Sequence, residues 1–202
     1  MVAVNTYQQI ETNERENNDN RIVVLLFVRP EDEKADSIIK HFNYLHEESG
    51  RTCGIYAVGY SNIPFSESYP DSISVHGGGN VTWNYSDKAF IEVKNALQGN
   101  LKWRYSGEPE MLILQSNMKG QRVLDFRNMV PIDINYGIQH GYIRSFINFI
   151  QSLINAARRE VEAKKAVVEA TRKRYSPMAI VTNTINAIAL PDIARQALKD
   201  SM

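Results

Sequence analysis

A single cysteine, Cys53, stands in the whole 202-residue chain. That scarcity excludes an intramolecular disulfide and a multi-thiolate zinc site, and it points to an intracellular setting. Net charge is equally lacking: 23 basic and 23 acidic residues cancel. No global field therefore gathers nucleic acid or an anionic membrane, although a local patch stays open. Long apolar runs are missing too. None approaches the roughly 18 residues that cross a bilayer, and no basic, apolar and small-residue series at the start reads as an export signal. A cytoplasmic protein is expected, with no membrane partner and no cofactor.

What is present is organised around Ile22-Val23-Val24-Leu25-Leu26-Phe27-Val28, set between Asn20-Arg21 and Arg29-Pro30. A short run without alternation, rich in β-branched residues, reads as a strand buried on both faces. Pro30 followed by Glu31, Asp32 and Glu33 opens a helix, with Ala35, Ile38, Ile39, Phe42 and Leu45 as its apolar stripe. Residues 51–60 form a second strand, and strand, helix of about eighteen residues, strand makes a parallel βαβ unit. The stretch 61–86, with Pro64, Pro70, Gly77-Gly78-Gly79 and many serines, reads as a long irregular excursion. Ser86 or Asp87 caps a helix to about Gln98. Glu110 to Gln115 and Gln121 to Phe126 are joined by the short turn at 117–120 into an antiparallel hairpin. The expected sheet order is 53–60, 22–28, 110–115, 121–126, with the last two strands antiparallel to the first.

The ends carry less information. Residues 1–20 have almost nothing to bury and are expected to form a flexible leader, unless a partner strand captures Val2, Ala3 and Val4. No proline interrupts 133–175, which reads as one helix of ~40 residues spanning ~60 Å. Its stripe from Ile138 to Ile154 is wide enough to lie on the sheet. Beyond Ala157 it thins and the surface turns basic. The division is thus a leader at 1–20, a domain at 21–157, and a C-terminal helical arm at 158–202.

The order strand, helix, strand, loop, helix, proline, strand, strand, helix resembles the thioredoxin fold from Ile22 to about Ile154. The fold class is then α/β, in the sense of a mixed α+β four-stranded sheet with flanking helices and a C-terminal helical extension. The resemblance implies that Pro109, in Gly107-Glu108-Pro109-Glu110, is the cis proline that opens the third core strand of that family. It also places the redox pair of the family where this chain reads Val28-Arg29-Pro30-Glu31-Asp32. No thiol is there, so dithiol–disulfide chemistry does not carry over. The segments His41-Phe42-Asn43-Tyr44-Leu45-His46-Glu47-Glu48-Ser49-Gly50 and Trp103-Arg104-Tyr105-Ser106-Gly107 resemble uncharacterised bacterial proteins of anti-phage operons, which implies a setting rather than a reaction.

Candidate sites compete with bland readings. His41 and His46, five residues apart, lie about 140° apart around a helix and cannot share one metal; each reads first as a surface or boundary histidine. Cys53, on a buried strand, reads as an inert small hydrophobe. The triple glycine lacks the lysine and hydroxyl residue of a phosphate loop and reads as a flexible turn. Trp83, Tyr85, Trp103 and Tyr105 beside Lys102 and Arg104 could stack bases, but large aromatics beside a helix are ordinarily core. Three functional readings follow. The first is a redox-inactive, non-catalytic accessory or scaffold subunit that docks a protein partner, or forms a homo-oligomer, through its C-terminal helices, with Val161, Val168, Arg172, Arg174, Ile180 and Ile185 as partner-binding residues. The second is a small-ligand sensor or enzyme that uses the excursion 61–86 and a face with Arg29, Tyr105, Pro109, His41 and His46. The third is nucleic-acid binding by the basic helix.

Overall fold

The apolar run becomes the middle strand of a five-stranded sheet in the computed structural model, which describes residues 2–4, 6–50, 52–79, 81–120 and 122–171. The first half of the described chain comprises β1 (Val2–Val4), α1 (Tyr7–Asn17), β2 (Ile22–Phe27), α2 (Ala35–Ile39), α3 (Phe42–Glu48) and β3 (Cys53–Val58). Next come β4 (Tyr60–Ser61), β5 (Ile73–His76), β6 (Thr82–Tyr85) and α4 (Asp87–Asn100). The last part holds β7 (Glu110–Ser116), β8 (Leu124–Asp133), α5 (Ile134–Gln139), α6 (Phe146–Ala157) and α7 (Ala163–Thr171).

The main sheet runs β1-β3-β2-β7-β8. β2 lies parallel to β3, Ile22 opposite Cys53, and antiparallel to β7, Phe27 opposite Glu110. Every residue of β2 is buried, as a strand must be when both edges are paired and helices cover both faces. The covering helices form two groups, α1 with α4, and α2 with α6 and α7. Four strands stand in the expected order. One direction differs: β8 is antiparallel to β7 and therefore runs the same way as β2. β8 also starts later and runs longer than expected. It passes through Pro131, which the sheet edge tolerates because an edge strand has unpaired positions. Within it Phe126, Arg127, Asn128 and Met129 stand against Leu114 alone, so the strand bulges.

Within 1–20 the exception holds: a strand captures Val2, Ala3 and Val4, and a helix follows it. β1 adds to β3 in parallel, Val2 opposite Tyr56 to Val4 opposite Val58. Thr6 caps α1 by accepting the Gln9 N–H at 3.3 Å. What the composition hid is one buried charge. Glu14 is fully enclosed and accepts from Arg21 Nε at 3.0 Å and Nη2 at 2.7 Å, and from the Tyr56 hydroxyl. Arg21 Nη1 donates to the Gly50 carbonyl at 2.5 Å. Gly54 makes the approach possible, since a Cβ there would sit 2.6 Å from Glu14 Oε1.

Further corrections follow from local geometry. The single crossover helix is two, α2 and α3, which break at Lys40 and His41. The irregular excursion contains a second sheet, β4-β6-β5, whose central strand turns Trp83 and Tyr85 inward. The long helix is three. Gly141, at φ 73°, accompanies the first break, and a turn at 158–162 sends α7 back against α6, β7 and β8. Glu108–Pro109 is trans, like every described peptide bond. Gly107, at φ 94°, makes the turn before the strand instead, and the Pro109 carbonyl accepts from Ile134 N at 2.9 Å.

Candidate functional site

Parallel strands aim their carboxyl ends at one edge of a sheet, and ligand sites of open sheets gather there. Beyond Phe27 the chain turns tightly: Arg29 N–H donates to Asp32 Oδ2 at 2.6 Å, and Asp32 N–H to the Arg29 carbonyl at 3.1 Å. The Arg29 guanidinium lies over the Phe90 ring at 4.9 Å, with its Nε 3.4 Å from Asp87 Oδ1. Asp87 opens α4 beside the cap residue Ser86, whose hydroxyl accepts from Ala89 N–H and donates to Asp71.

Behind this turn runs a continuous row of rings. Trp83 meets Phe42 at 5.5 Å, Phe42 meets Tyr60 at 4.8 Å, and Tyr60 meets Tyr85 at 4.9 Å. Tyr85, Phe90 and Tyr105 follow at 6.3 and 5.4 Å, and Phe27 joins Phe90 to Trp103. Burial pushes the Tyr60 and Tyr105 phenols up, with the Asp32 carboxylate adding to both. Burial raises Tyr85 as well, reinforced by Asp87. Among the described residues, the buried Tyr60 and Tyr105 hydroxyls have no hydrogen-bond partner, a costly condition for enclosed donors.

Two carboxyls in this zone depart upward. Burial raises Asp32, against the opposing Arg29 N–H. Glu110 opens β7 opposite both Phe27 and Asp133; burial pushes it to about 8, opposed by the Ser106 N–H at 3.3 Å and the nearby Trp103 indole and assisted by Asp133. Such a carboxyl holds a proton at neutral pH. The sole thiol is elsewhere. Cys53 pairs with Ile22 at the opposite end of the strands and is pushed up to about 12 by burial, so it is a poor nucleophile.

The expected ligand face comes together only in part. Arg29 and Tyr105 share the Phe90 ring, and buried Pro109 precedes Glu110. His41 instead heads α3, its pKa lowered by burial and by Lys40. His46 is exposed and lines a recess of about 590 Å³ with Gly78, Gly79 and Trp83. Of the expected partner-binding residues, Val161 is 48% exposed and Val168 partly buried; Arg172, Arg174, Ile180 and Ile185 lie outside the described residues. Sequence reasoning missed Tyr60, Asp32, Asp87 and Glu110. A Gly59-Tyr60 pair closing the second strand was a usable signal for the first: Gly59 takes φ 81°, and a Cβ there would meet Phe90 at 2.8 Å.

Among the described residues, no group of three or more His, Cys, Asp or Glu side chains is placed to hold a metal ion, and no helix is long and apolar enough to cross a membrane. Comparison of the chain with protein-family models, with curated proteins and with solved structures finds no match.

Proposed function

We propose that this chain is a non-catalytic, redox-inactive, thioredoxin-like accessory or scaffold subunit of a bacterial multi-protein assembly, one of anti-phage defence, which docks its partner through residues beyond Ala157. The observation that carries the reading is the Val28–Asp32 turn. At the position where thioredoxin-like enzymes keep reactive thiols, Arg29 is fixed by Phe90 and Asp87 and Asp32 by a backbone N–H. A side chain held in that way has a structural task. The sheet order, with two parallel strands followed by an antiparallel hairpin, supports the thioredoxin-like part, and the trans Pro109 departs from it. Docking is supported by exposed Val161 amid Arg158, Arg159, Lys164 and Lys165; basic neighbours orient a partner more than they hold it. An insulin-reduction assay tests the redox part. No turnover above background is expected, because an intramolecular resolving step needs a second thiol. Turnover that Cys53→Ala abolishes would refute it.

A second reading, small-ligand binding at the excursion 61–86, is favoured by the recess beside Trp83, whose volume of about 590 Å³ falls within the range of small-molecule sites.

A further inference from the structure

The recess lies between α3 and the turn that joins β5 to β6, and the backbone holds it open. Gly78, at φ 86°, packs so closely that a Cβ would stand 2.1 Å from the Lys40 carbonyl oxygen. Its own carbonyl accepts from Asn43 Nδ2, while the Gly77 carbonyl accepts from Asn43 N–H at 3.4 Å. Asn43 Oδ1 in turn accepts from Trp83 Nε1 at 3.0 Å. One asparagine thus ties turn, helix and indole together, and its hydrogen bonds are spent on the frame. Among the described residues, Gly79, at φ 60°, has only Asn43 Nδ2 on its Cβ side, at 3.4 Å. The missing side chain leaves room for a ligand to approach the backbone closely.

The walls differ in chemistry. Tyr44 and Val81 give an apolar side, with buried Trp83 behind them; Val81 is 45% exposed, a large apolar side chain facing solvent at the rim. Tyr44 is anchored there by Gln151 Nε2, which donates to its hydroxyl at 3.1 Å. Lys40 and His46 contribute nitrogen donors, Glu47 an acceptor for hydroxyl groups, and Asn62 an amide with both. His46 stands edge-on to Trp83 at 6.0 Å, so donor and apolar walls adjoin.

We propose that this recess binds a nucleoside phosphate: the base against Tyr44 and Val81 with its edge at Asn62, the sugar hydroxyls on Glu47, and the phosphate on Lys40 and His46. The proposal rests on the small-ligand reading and names its ligand class. A flat apolar ring, hydroxyl donors and an anion match the three kinds of wall.

Trp83 and Trp103 are the two tryptophans of the chain, so Trp103→Phe leaves an indole reporter at the recess. Adenosine monophosphate, adenosine and ribose 5-phosphate are titrated against that variant. In parallel, amide chemical shifts of Gly78, Gly79 and Asn62 are followed in the parent chain, which needs no altered core. The nucleotide is expected to bind saturably and about tenfold more tightly than either half, with shifts at those three amides. Lys40→Glu, an exposed position, is expected to weaken the nucleotide about tenfold while leaving adenosine unchanged, as loss of one charge-assisted hydrogen bond does. Equal affinity for nucleotide and adenosine, unaffected by Lys40→Glu, overturns the nucleoside-phosphate class and leaves the small-ligand reading standing. Absence of saturable binding by all three, or shifts confined to other amides, overturns both.

Discussion

α1 and α7 flank the same sheet and are attached by opposite means. α1 is polar along most of its length and buries only Ile10 and Glu14. Its hold is a buried ion pair extended by the Tyr56 hydroxyl and the Gly50 carbonyl. α7 buries Ala163, Ala166 and Val167 against its neighbours and keeps its charges outside, where Lys165 pairs with Glu162 and Arg159 with Glu169. The first attachment centres on one ion pair beside a single buried isoleucine, and the second on a surface. An apolar stripe can be seen in a sequence, whereas a single enclosed carboxylate cannot be told from a solvated one.

The largest expected effect tests the polar attachment. Glu14→Ala leaves Arg21 buried without its partner and should cost about 3–5 kcal/mol in urea unfolding. Glu14→Leu combined with Arg21→Met should recover most of that loss, since a packed apolar pair avoids the desolvation penalty. A loss below about 1 kcal/mol for Glu14→Ala, the level of a surface pair, would break the comparison.

Ending the chain at Ala157 tests the apolar attachment. Removing α7 strips Val167 and two alanines from the interior and should cost about 2–3 kcal/mol on the scale of one buried aliphatic side chain. A chain ending at Thr171 keeps every described core residue and should unfold cooperatively.

Glu110 adds a pH dependence that neither attachment carries. Its carboxyl keeps the proton to about pH 8 in the folded chain against the ordinary 4.5. The folded state therefore binds more protons between those values, and stability falls as pH rises through that window. The contribution is complete below 4.5 and lost above about 8, with a slope of up to about 1.4 kcal/mol per pH unit. Glu110→Gln should flatten the profile and exceed the parent in stability at pH 9; equal slopes from pH 5 to 9 would contradict the burial of an ionisable group there. The smallest effect belongs to Val161→Ser, which should leave stability within about 0.5 kcal/mol while weakening partner binding in a pull-down.

Much of the sheet was legible because its signals are local. The β2 run, the turn at 117–120 and the Ser86 cap each declare themselves within a few residues, and together they set four of the five strands in order. The rest depends on distant contacts. Glu14 and Tyr56 are 42 residues apart, so nothing near Glu14 announces a helix with a buried carboxylate. α2 and α3 share one apolar stripe through Ile38, Ile39 and Phe42, which hides the break between them. Glycines 77–79 suggested a loose turn, yet their value lies in close approach to Lys40 and Trp83. Of the candidate face, Arg29 and Tyr105 were found through the order of elements. Glu110 was not, because a glutamate at the start of a strand reads as solvated until the chain at 103–108 is laid over it.

The account rests most heavily on docking through residues beyond Ala157, and the mass of the complex purified from native expression tests it most directly. The full chain and a chain ending at Ala157 are purified in the same way and weighed intact, with circular dichroism to establish that both are folded. The account predicts a larger assembly for the full chain and a folded protein without its partner for the shorter one. A folded shorter chain that keeps every partner of the full chain would contradict it.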